Sequence, residues 1–162
     1  MTLRSTTWLA ATRLALFVAL SAWFLSPLGA AIQSANQATA LEVRLAEVQP
    51  GAGLIEASVS GSSAKVYLHG EIVITNADVV EARVVPGNSA SDFSITVAFS
   101  REGAARIAQA TASHVNKPLA ILINGQVVTA PTLRGQVSNS AVIAGEFTSS
   151  EAAAIAAGLN RK

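Results

Sequence analysis

A chain of 162 residues is of single-domain size and long enough to bury one continuous core. Apolar residues make up 51% of it but aromatic ones only 5%, which argues against disorder along its length and for a core of small aliphatic side chains. Eleven basic residues stand against ten acidic ones and there is no cysteine, so a basic nucleic-acid footprint, disulfides, thiol nucleophiles and thiolate metal sites are all excluded.

At the N-terminus, Arg4 and Arg13 precede the apolar stretch Leu14 to Leu25, and Ser26, Pro27 and Gly29 follow it, the layout of a secretory signal peptide. Residues 1–31 are therefore expected to be a signal peptide, cut after Ala31 or Ala40, or else an uncleaved anchor. Leu14 to Ile32 approaches the roughly 20 apolar residues that a spanning helix needs. Without Arg4 and Arg13 nine basic residues face ten acidic ones, so the processed chain is slightly acidic. Residues 32–40 are mostly small and polar and read as a linker. The expected location is extracytoplasmic, in the periplasm, with membrane contact only through the N-terminal segment.

The folded domain is expected over residues 41–162. Leu41 to Val48 alternates apolar and charged residues, the pattern of a half-buried strand. Further strands are predicted at Leu54 to Val59 and Lys65 to His69, separated by the Gly61-Ser62-Ser63 turn. Thr75 or Asn76 can cap a short helix through Ala82, after which Val84 and Val85 run extended into the Pro86-Gly87-Asn88 turn. Phe93, Ile95, Val97 and Phe99 share one face of a strand. Ser100 then caps a helix over Arg101 to Val115, whose apolar stripe is Ala104, Ile107, Ala108, Thr111 and Val115. Leu119 to Ile123 is a continuous apolar run suited to a central strand covered on both faces. Asn124-Gly125 predicts a type I′ hairpin turn, and Gln126 to Thr132 returns with Pro131 near an edge or bulge. Val142 to Phe147 is the last strand, and Thr148 to Glu151 is a capping box before the helix Ala152 to Leu159. The expected class is α+β: a ferredoxin-like sheet with helices packed on one face, preceded by extra N-terminal strands.

No catalytic constellation is present, so the chain is not expected to be an enzyme. His69 and His114 lack a partner at ligand spacing on their own elements. His114 is expected to be solvated in the last helical turn, His69 structural or exposed, and no metal or other cofactor is expected. Asp78 and Glu81 read as a solvated face, while Glu102 and Glu151 are explained by helix first turns. No serine sits in a nucleophile elbow and no glycine-rich loop could cradle a phosphate.

The second half nevertheless follows a recognisable order. Glu102-Gly103-Ala104, Thr111, Asn116 to Ile121, Asn124 to Pro131, Ile143 to Thr148 and Glu151-Ala152 together resemble the head subdomain of the first periplasmic domain in the SecD/SecDF protein-export family. Leu41 to Leu45 and Thr75 to Ala82 are similar to that family's first strand and short helix. Two departures stand out: Asn124 replaces the usual hairpin aspartate, and Ser138-Asn139-Ser140 replaces paired glycines. The family continues beyond the head into membrane-spanning helices, which these residues do not include, so a motor role is not expected. What the resemblance implies is a monomeric, non-enzymatic module that assists translocation by contacting unfolded or extended polypeptide, or envelope and translocase proteins. An envelope scaffold or ligand-binding domain unrelated to translocation is the alternative. Pro131 places the hairpin's second strand near an edge able to add a peptide strand, with Val127, Val128, Thr129, Pro131 and Leu133 as the candidate contacts. The loop Arg134 to Ser140 is the segment that would cover that edge.

Overall fold

A computed structural model describes residues 39–88 and 92–160; the expected signal or anchor segment and most of the linker lie outside the described residues. Nine strands, one 3-10 turn and two helices follow in chain order. They are β1 (Leu41–Glu47), β2 (Ile55–Ser58), β3 (Lys65–Leu68), β4 (Ile74–Thr75), the turn Asn76–Asp78, β5 (Val79–Pro86), β6 (Phe93–Phe99), α1 (Arg101–Ala112), β7 (Leu119–Ile123), β8 (Gln126–Thr129), β9 (Ser140–Phe147) and α2 (Ser149–Leu159). Among these helices none is long and apolar enough to cross a membrane.

The α+β class holds, but the strands form two sheets instead of one ferredoxin-like sheet. The larger runs β2-β3-β1-β7-β8, with β4 also paired to β1, and the smaller runs β5-β6-β9. Register explains the division. β7 pairs with β1 from Leu41↔Ile123 to Leu45↔Leu119, whereas β6 is saturated on one side by β5 and on the other by β9. The larger sheet also curls, because Val59 just beyond β2 bridges to Val127 of β8 and the Ser60 N–H donates to the Val127 carbonyl at 2.8 Å. Ala46, Val66, Leu68, Ala120, Leu122 and Val127 fill the inside of the curl. The opposite face carries Leu41, Val43, Leu119, Ile121 and Ile123 into the main core, where Ile95, Val97, Ile107, Ile143 and Leu159 meet them. β7 is buried at all five positions, as its unbroken apolar run predicts.

The helix termini follow their caps. Ser100 Oγ accepts from the Gly103 N–H at 3.1 Å, and Thr148 and Glu151 satisfy each other's backbone N–H groups at the start of α2. Asn124 at φ 52° and Gly125 at φ 80° make the left-handed pair that a type I′ turn requires. Asn124 also anchors the beginning of the domain. Its side-chain oxygen accepts from the Ala40 N–H at 2.8 Å while its own N–H donates to the Ala40 carbonyl at 2.8 Å.

Two segments depart from the sequence reading. The short helix expected from Thr75 or Asn76 to Ala82 is a single 3-10 turn followed at Val79 by β5. The valines at 79, 80, 84 and 85 favour the extended chain, and pairing with β6 supplies partners that two helical turns would lack. The helix expected to reach Val115 ends at Ala112, where the His114 N–H turns back to the Thr111 carbonyl at 3.1 Å and Asn116 adopts φ 69°. Val115 is consequently 38% exposed, whereas His114, expected in solvent, is buried. The loop after Leu133 is tied to α1: Gln136 Nε2 donates to the Ala108 carbonyl at 2.8 Å and the Val137 N–H to Thr111 Oγ1 at 3.0 Å.

Candidate functional site

The two sheets leave a cleft of about 380 Å3 between β8 and β9, lined by Ser60, Gly61, Val128, Thr129 and residues 144–147. β8 ends the larger sheet and β9 ends the smaller one; Val59 and Ser60 close the β8 edge at Val127, so beyond that point Val128 and Thr129 of β8 face residues 144–147 of β9 across the cleft. Both strands are irregular there. Ile121 pairs with Thr129 and Leu122 with Val127, leaving Val128 as a bulge; Phe93 pairs with Phe147 and Ser94 with Ala144, leaving Gly145 and Glu146 looped out. Bulges interrupt a ladder and re-aim side chains, so the facing edges diverge instead of zipping together. At Gly145 a Cβ would lie 2.7 Å from Phe147 Cε2, so glycine is what allows the Phe147 ring to fold back over the strand. Glu146 supplies a carboxylate to an otherwise mainly neutral lining.

Of the five contacts expected from sequence, the structure gathers only Val128 and Thr129 at this cleft. Val127 and Leu133 are buried at 3% and 7% exposure, so they take no part in a surface contact: Val127 seals the curl and Leu133 joins the main core. Pro131 is exposed but sits past the cleft, where its carbonyl accepts from the Leu119 N–H at 2.9 Å. Two-residue periodicity could not anticipate this, because the Val128 bulge reverses which side chains face inward. Gly145, an isolated glycine inside a strand pattern, was the available sign of an irregularity on the opposite wall.

Residues 52–161 match the family described as SecDF, P1 head subdomain. The chain belongs to that family. Among curated relatives, the translocase subunit SecD of Elusimicrobium minutum is 32% identical over 90 residues, covering 56% of this chain and 19% of its own. SecD of Endomicrobium trichonymphae is 30% identical over 109 residues, covering 66% and 22%, and SecDF of Thermus thermophilus is 34% identical over 88, covering 54% and 12%. The chain thus spans less than a quarter of the length of these relatives. A solved structure of SecDF, a membrane component that enhances protein export, superposes with a TM-score of 0.59 at 24% identity over 76% of this chain and 63% of that one. SecDF in a super-membrane-facing form gives 0.60 at 24% identity, covering 76% and 19%. These structural likenesses speak to the fold.

The SecDF head fold also brings together side chains that sequence spacing kept apart. Glu47 at the end of β1, His69 after β3 and His114 after α1 each place one potential ligand atom within 4.8 Å of the other two. His69 Nε2 lies 3.3 Å from Glu47 Oε1, and the two imidazoles meet edge to face with centroids 5.7 Å apart. Lys117 Nζ reaches the same Glu47 oxygen at 2.9 Å. That hydrogen bond is the largest influence on the Glu47 carboxyl and holds it below the ordinary glutamate value against the opposing effect of burial. The sequence clue was weak, since 22 residues separate Glu47 from His69 and 45 separate His69 from His114. Only the pairing of β1 with β3, through Ala46↔Leu68 and Glu47↔Tyr67, makes the first two neighbours.

Proposed function

We propose that this SecDF head domain is a non-enzymatic, monomeric module on the extracytoplasmic side of a membrane, taken there by residues 1–31, and that it binds extended polypeptide during protein translocation. The observation that carries the reading is the cleft between the bulged outer strands β8 and β9, where backbone edges border a groove with few charged groups. An extended chain laid there adds main-chain hydrogen bonds that read little sequence, as a factor handling many exported chains requires. Family membership and the SecD relatives favour translocation over an unrelated envelope role.

The test uses Ala144, which is exposed on β9 at the cleft wall and outside the core. In Ala144→Arg a long cationic side chain occupies the groove while the thermal melt stays that of the wild type. Titrating the full chain against a fluorescently labelled, permanently unfolded protein should give saturable binding, weakened about tenfold or more by the substitution. Equal binding by both, or none by either, would remove the cleft as the contact surface and leave the scaffold reading.

A further inference from the structure

We propose that Glu47, His69 and His114 form a binding site for one divalent transition ion of the zinc class, independent of the polypeptide cleft. Three side chains come from three separate elements of the fold, and the residue types are those that suit such ions: two imidazoles and a carboxylate.

The geometry supports ligation on two further counts. The His69 Nε2 to Glu47 Oε1 separation of 3.3 Å is long for a charge-assisted hydrogen bond. It matches the edge of a coordination tetrahedron, about 3.3–3.4 Å for metal–ligand bonds of about 2.0–2.1 Å. Second, His114 Nε2 lies 2.9 Å from the Ala46 carbonyl oxygen. A carbonyl only accepts, so Nε2 carries a proton, which leaves Nδ1 as the ring nitrogen available to a metal. A backbone carbonyl that fixes the tautomer and orientation of a buried imidazole is the outer-shell arrangement found behind metal-bound histidines.

Access and adjustment are both available. A cleft of about 710 Å3 between the β3–β4 connection and α1 opens on His69 and on Ser113, next to His114. His114 is buried, while Glu47 and His69 are partly exposed and can shift by side-chain rotation to close the remaining distance. Three protein ligands leave a fourth position for water or for a donor from a bound molecule. Lys117 is the built-in competitor, because its ammonium occupies Glu47 Oε1 when no ion does. Its side chain is 49% exposed, so it can swing into solvent when an ion takes its place.

Isothermal titration of the full chain with Zn2+, and with Co2+ followed by visible absorption, tests the site. The expected result is one saturable ion per chain with the intense absorption of tetrahedral Co2+. His69→Ala and Glu47→Gln each should lower affinity about tenfold or more, with the apo-protein fold retained because both residues are partly exposed. Lys117→Ala should raise affinity, which a merely structural lysine would not do. Absence of saturable binding in the wild type, or one-to-one binding undiminished in the His69→Ala, Glu47→Gln double variant, would overturn the proposal.

Discussion

Replacing Gly125 isolates the energetic cost of a single backbone conformation. Gly125 stands at φ 80°, after Asn124 at φ 52°, and a Cβ built on it meets nothing within 4 Å. No clash and no loss of burial therefore enter, and the whole effect comes from forcing an L-residue into the left-handed region. That strain is of order 1–3 kcal/mol, with Gly125→Ala at the lower end and the β-branched Gly125→Val at the upper. For a folded domain of roughly 120 residues the unfolding entropy is about 0.25 kcal/mol per degree, so the two variants should melt about 4 and 12 °C below the wild type. Gly135→Ala is the matched control, because a Cβ there also meets open space but φ lies outside the left-handed region. Circular dichroism melts of the four proteins decide the matter. A Gly125→Val melting temperature equal to that of the wild type, or a Gly135→Ala loss as large as that of Gly125→Ala, would refute the assignment of the cost to the type I′ turn.

Three other perturbations have definite expected outcomes. Asn160 works as a substitute strand for β5, its Oδ1 accepting from the Ala82 N–H and its Nδ2 donating to the Ala82 carbonyl, both at 2.8 Å. Asn160→Ala strands both groups beside a residue only 4% exposed and should cost about 1–3 kcal/mol in a urea melt, whereas Asn160→Asp should lose chiefly the donated bond. Gly158 on α2 abuts Thr39, whose Cβ would lie 2.6 Å from an added Cβ, so Gly158→Ala should destabilise and Thr39→Gly in the same chain should recover much of the loss, a non-additive double-mutant cycle. Burial on its own would raise the Asp78 carboxyl, but the Thr75 N–H and the Arg106 guanidinium outweigh it and hold the group below the ordinary aspartate value. A depressed folded value means stability that is present above the unfolded pKa of about 3.9 and lost as pH falls through the folded one. Urea midpoints should therefore drop below about pH 4, and less steeply in Asp78→Asn.

How much of this was legible in the chain depended on whether local signals had a tertiary competitor. β1, β6, β7, the Asn124-Gly125 turn and both helix caps were readable because periodicity, turn chemistry and burial agree at those positions. The stretch 75–82 was misread as helix because Thr75 and Asp78 do form a capping box, yet the valines that follow are committed to β6 by seven residue pairs of antiparallel ladder. A cap signals where a helix can start and says nothing about whether the next residues will continue it. His114 was misplaced for a related reason. Its helical stripe position is polar by composition, and only the return of the chain beneath β1, where the Ala46 carbonyl waits for its Nε2, makes burial favourable.

The same distinction separates the two sites. The cleft lies between the ends of two sheets, and its walls are set by bulges at Val128 and at Gly145 and Glu146. No sequence window containing β8 alone could include its other wall, since residues 144–147 come from the opposite sheet. Glu47, His69 and His114 are drawn together by the curl that sets β3 beside β1 and by the early end of α1. His114 follows the end of α1 at Ala112, in a turn whose N–H returns to the Thr111 carbonyl, and its Nε2 meets the Ala46 carbonyl of β1. The three side chains come from the ends of β1, β3 and α1, far apart in the chain, so the metal titration probes a feature that only tertiary packing assembles.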